Sequence, residues 1–263
     1  MFEAEHDDMR FERHPWLDLW ALPGAILLSL LAEPLILPAL LLNGMRIWIH
    51  EFGHAFIAWW SSRAALPLGI GFTSYNLQSS WFVTLCFTFL MGLGFVKAWA
   101  HQYFYWAFLC AFSFIMMILF SFVFSDQTFL WCFSFGGVAG EIYLSSLLII
   151  AFYCEGSHKI RWDFLRFPVL FIATYVYLQA LKLWWGVSHM TREIPFGTLW
   201  GGQGDAGGDM NQLRDNYGWT ETSIAETYWR WCVACGLLIS AVWILNLLLQ
   251  MSRGSSRSAG RSL

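Results

Sequence analysis

Between Gln102 and Ser125 the chain carries no Asp, Glu, Lys or Arg. A run of that length and character constrains the fold more than any other feature. About 20 apolar residues wound into a helix cross the roughly 30 Å hydrocarbon core of a bilayer. Comparable runs occupy Ser80–Trp99, Phe129–Tyr153, Phe167–Trp185 and Thr227–Met251, and a longer one extends from Leu19 to Trp60. Composition removes the soluble alternative. Hydrophobic residues make up 57% and charged ones 13%, against about 25% charged in an ordinary soluble domain. The 17 Trp and 24 Phe of these 263 residues carry more apolar area than one water-surrounded core can hide. A net charge of −3 gives no basic footprint for nucleic acid. A soluble enzyme, a disordered regulator and a nucleic-acid binder are all poor readings.

The fold expected is an all-α polytopic membrane protein. It has six transmembrane helices, with seven as the alternative count. Residues 1–16 form a polar N-terminal tail, 17–252 an integral membrane domain with a polar glycine-rich loop over 186–225, and 253–263 a basic C-terminal tail. The tail lacks the short basic start and small-residue cleavage site of a secretory signal, so the first apolar run reads as retained. That run is interrupted by Glu33-Pro34, Pro38, Asn43-Gly44 and Arg46. A break near Pro34 is expected because proline cannot donate its backbone hydrogen bond. Lys159, Arg161 and Arg166 read as one loop, and Arg253, Arg257 and Arg261 as a tail two crossings away. Both then lie on one face, which the distribution of basic residues makes cytoplasmic. The chain reads as multi-pass in the cell's inner or plasma membrane. The paired tryptophans Trp59-Trp60 and Trp184-Trp185 mark membrane interfaces, and the six cysteines, Cys232 and Cys235 included, act as small hydrophobes in helix packing.

The sharpest local signal is His50-Glu51-Phe52-Gly53-His54 inside an apolar run. Imidazoles at i and i+4 lie on one helix face, one turn apart, and can grip one zinc ion together. Glu51 beside them can take a proton from water. The competing reading has both histidines and the glutamate as buried polar groups bonded to backbone carbonyls. That is costly in a membrane, where an ionisable group carries a penalty of about 2.5 kcal/mol or more. Gly53 removes a side chain and lets another helix approach closely. Catalytic zinc takes three protein ligands, so a third must come from elsewhere. The candidate carboxylates are Glu33, Glu141, Asp205, Asp209 and Asp215. Asp209 is preferred, with Asp205 and then Glu141 as alternatives. Asp209 also reads as a loop aspartate or a helix cap, and Glu141, behind the small residues Gly136, Gly137 and Gly140, as a partner to a ligating histidine or a structural contact.

At these residues the chain resembles the site-2 protease family of intramembrane zinc metalloproteases. The likeness rests on His50-Glu51-Phe52-Gly53-His54, on the downstream segment Ala64–Thr73, and on a late Gly-Asp element. The resemblance implies that His50, His54 and Asp209 hold zinc, that Glu51 is the base, and that the substrate is a transmembrane protein or peptide cut in or near the bilayer. The family's late element reads Leu-Asp-Gly, whereas this chain has Gly208-Asp209-Met210. The Gly/Pro-rich stretch Ala64–Asn76 is expected as a short re-entrant or interfacial segment. It reads equally as an edge for an unwound substrate or as a plain connector. Two other functions stay open on sequence. One is a membrane zinc protease of the prenyl-protein-processing kind with Glu141 as third ligand. The other is a non-proteolytic zinc-binding transporter or sensor.

Overall fold

The computed structural model describes residues 15–154, 162–198 and 204–259, with residues 15 and 253–259 as backbone only. Residues 1–14 of the polar N-terminal tail, the basic residues Lys159 and Arg161, the start of the glycine-rich run and the side chains of the basic C-terminal tail lie outside the described residues. The elements in chain order are α1 (Pro15–Ala32), α2 (Ile36–Trp60), β1 (Arg63–Leu68), β2 (Phe72–Ser79), α3 (Trp81–Ala100), α4 (Phe104–Ile118), α5 (Asp126–Ala151), α6 (Trp162–Ser188), α7 (Asp209–Asp215) and α8 (Glu221–Ala259). A wider turn over Leu119–Val123 closes α4. Among the described residues, five helical segments are long and apolar enough to cross a membrane, and α1 with α2 makes a further pair bent by 116°.

The bend falls where proline predicts it. Pro34 sits in the turn between α1 and α2, whereas Pro38 lies in the first turn of α2 and leaves that helix intact. The first N–H groups of a helix have no intrahelical acceptor, so a proline there loses nothing. Pro23 is inside α1, and the Leu19 carbonyl one turn earlier would be left without its backbone donor. The Trp243 indole of α8 donates to that carbonyl at 3.1 Å. Asn43-Gly44 and Arg46, read as interruptions, do not interrupt α2.

Helix α5 is the centre of the bundle, packed against α2, α6, α7 and α8. The crossing with α2 is close because three glycines face one another. A Cβ on Gly53 would run into the Gly136 carbonyl and lie 2.9 Å from the Gly140 Cα, and one on Gly140 would lie 2.6 Å from the Gly53 Cα. Helices α3 and α4 pack on each other and leave most of their apolar side chains exposed.

Arg166 corrects the sequence reading of a basic loop. It lies in α6, buried, with its guanidinium 2.7 Å from the buried Asp18 of α1 and over the rings of Phe152 and Phe167. Burial of an arginine is tolerated when a carboxylate and an aromatic face take up its charge, so Arg166 ties α1 to α6. The helical class has one addition. The segment after α2 is an antiparallel hairpin, β1 paired with β2, turning through Gly71 at φ +98. It is anchored by Arg63, which donates to the Leu77 carbonyl at 2.9 Å and to Asp126 of α5 at 2.5 Å, and by the Trp59 indole donating to the Ala65 carbonyl at 3.1 Å.

Candidate metal centre

Helix α2 presents Arg46, His50 and His54 at successive one-turn intervals, so all three share one face. That face meets α5. The His54 Nδ1 donates to the Phe133 carbonyl at 2.7 Å, with its ring stacked on Phe133 at 4.6 Å between centroids. The His50 Nδ1 donates to the Glu141 carboxylate at 3.0 Å. Both acceptors are oxygens, so each imidazole carries its proton on Nδ1 and turns the lone pair of Nε2 the other way.

Those lone pairs converge on Asp209. The glycine-rich connection returns to the bundle so that Gly208 precedes α7 and Asp209 begins it. The Asp209 Oδ2 lies 3.3 Å from each Nε2, and the two Nε2 atoms are 3.3 Å apart. Oδ2 is buried and makes no hydrogen bond. Three acceptor atoms in an equilateral triangle repel one another unless positive charge sits among them. A divalent ion supplies positive charge with a bond to every corner. Tetrahedral zinc with bonds of about 2.0–2.1 Å sets its ligand atoms about 3.3–3.4 Å apart, which is the spacing observed.

Space is made for such an ion by a missing side chain. A Cβ on Gly137 would lie 2.5 Å from the His50 Nε2, 2.5 Å from the Asp209 Oδ2, and closer still to the His54 Nε2. The donor set, the orphaned oxygen and the open position at Gly137 all fit a metal ion.

Glu141 does not join the three. Its Oε1 bonds the far nitrogen of His50, and its Oε2 accepts from the Arg46 guanidinium at 2.6 Å. A carboxylate behind a ligating imidazole fixes the ring and strengthens its donation to metal, and the Arg46 guanidinium pairs with that carboxylate from the other side. Glu141, the alternative third ligand, therefore faces the His50 nitrogen opposite Nε2 and stands outside the triangle. Asp205 is also elsewhere: its Oδ1 accepts from the Gly207 N–H at 2.8 Å and closes the loop that leads to Asp209. Glu33 pairs with Lys182, and Asp215 with Arg214. Glu51 is buried beside the site, with its Oε2 2.7 Å from the Thr73 hydroxyl.

Sequence reasoning passed over Arg46, Gly137 and Thr73 as parts of the site. Arg46 could have been found, because it lies one turn before His50 on the histidine face. Gly137 and Thr73 gave no signal, since a glycine's vacancy and a strand's reach exist only in three dimensions. No protein-family model, curated protein or solved structure matches the chain, so the site is read from its own chemistry.

Proposed function

We propose that the chain is an intramembrane zinc metalloprotease of the site-2 kind, hydrolysing a peptide bond in or near the transmembrane segment of a membrane protein. The carrying observation is the triangle of His50 Nε2, His54 Nε2 and Asp209 Oδ2, with edges of 3.3 Å and an orphaned buried oxygen. His50, His54 and Asp209 would hold the zinc. When bound, zinc makes water acidic enough to ionise near neutral pH and polarises a carbonyl. Glu51 takes the proton from the attacking water and passes it to the leaving amine. Glu141 and Arg46 keep the His50 ring turned towards the metal. A helical substrate hides its carbonyls in intrahelical bonds, so it must unwind locally before one is attacked.

In this reading the chain crosses the cell's inner or plasma membrane six times. Helix α1 begins against Arg166 at the start of α6, and Arg63, three residues past the end of α2, pairs with Asp126 at the start of α5. Successive spans start on opposite faces, so α1 and α2 together cross once. The test is Glu51→Gln in cells and in purified protein. The variant should retain metal while an uncleaved membrane protein accumulates. Retained metal with no change in any membrane protein, together with loss of zinc flux, would favour a transporter instead.

A further inference from the structure

Glu51 is held from outside its own helix. Its carboxylate Oε2 lies 2.7 Å from the Thr73 hydroxyl, and its backbone carbonyl lies 3.0 Å from the same oxygen. A hydroxyl has one proton to give. The shorter contact is to the group that carries charge when ionised, and charge-assisted bonds are the shorter and stronger kind. Thr73 stands on β2, which is seated on the site by more than this one bond. Tyr75, two residues on and therefore on the same face of the strand, packs on Phe133 at 4.2 Å between centroids, and Phe133 is the residue whose carbonyl accepts the hydrogen bond from His54 Nδ1. Gly69 of the turn lies against the Trp48 indole, where a Cβ would clash. The hairpin thus touches α2 at Trp48, the base at Glu51 and the histidine support at Phe133.

A glutamate has three side-chain torsions and swings freely unless something holds its end. We propose that Thr73 is the positioning residue for Glu51: by occupying one carboxylate oxygen it leaves the other as the single proton acceptor, aimed by the hairpin. This rests on the proteolytic reading of the site. It also makes the base dependent on the placement of β2, so that displacement of the strand releases the carboxylate. Thr73 has no place among the metal-holding groups, which separates its effect from theirs.

The test uses the full-length protein in mild detergent, with Thr73→Val, which keeps the shape and removes the hydroxyl, and Thr73→Ser, which keeps the hydroxyl. For a processed membrane substrate, Thr73→Val should lower kcat by about 10- to 100-fold, the scale of a misaligned catalytic group. KM and metal content should stay at wild-type values, and Thr73→Ser should stay within about 3-fold, the proportion left when hydroxyl and direction are both retained. A second readout needs no activity. Thr73→Val should lower the thermal midpoint by about 3 °C or more, and by less than half as much in a Glu51→Ala background. Unchanged kcat in Thr73→Val, equal losses in both threonine variants, or equal thermal shifts in both backgrounds would overturn the assignment. If the wild-type protein cleaves nothing, the proteolytic reading fails, while the thermal cycle still decides whether Thr73 holds Glu51.

Discussion

Helices α5 and α3 both pass for membrane spans, and they differ in almost every other respect. About 61% of the apolar window of α5 is buried within the protein, against 11% for α3. Helix α5 carries Gly136, Gly137, Gly140 and the charged Glu141 where α2 crosses it; α3 presents Phe82, Leu85, Phe89 and Leu90 outward. Helix α3 is apolar outward up to Lys97 in its last turn. The central helix breaks that pattern at one crossing, with small residues and a buried carboxylate, and the candidate metal site lies there. Backbone approach costs little when glycines line it, and charge is tolerated in hydrocarbon when each group has its partner.

The largest effect expected at that crossing is from Gly137→Ala. The new methyl would stand no more than 2.5 Å from all three converging atoms, where the ion would lie, so metal content should fall to background while the protein still folds. Elemental analysis of purified protein checks this, and full metal occupancy in the variant would break the contrast. Gly53→Ala comes next, because its Cβ meets backbone that cannot swing aside. A loss of about 3 kcal/mol or more is expected, the upper range for overpacking, read from a denaturation midpoint. Glu141→Gln should weaken metal affinity by about 10- to 100-fold, measured by competition with a chelator. The smallest effect belongs to α3: Leu85→Ala should change stability by no more than about 0.5 kcal/mol and leave metal affinity untouched.

The same contrast explains what could be read from sequence. The long apolar helices were legible because hydropathy alone marks them, and α3, α4, α5, α6 and α8 fall on the apolar runs expected for them. His50 and His54 were legible because one helical turn separates them. Asp209 stood out only as the best of several carboxylates, since nothing local shows that a glycine-rich loop will return to α2. Arg166 was misread because hydropathy places a charged residue at a helix end in a loop. Nothing in the sequence shows that Asp18 waits on another helix to bury it. The hairpin was hidden because Arg63-Ala64-Ala65-Leu66-Pro67-Leu68 lacks the polar–apolar alternation of a strand, and its pairing depends on anchors from α2 and α5.

The central claim is that His50, His54 and Asp209 hold one divalent ion. Elemental analysis of protein purified in mild detergent without chelators tests it most directly. About one zinc per chain is expected in the wild type and in Glu51→Gln, and near none in His54→Ala or Asp209→Ala. A wild type that carries no metal and takes none up, or an Asp209→Ala variant that retains a full complement, would contradict the account.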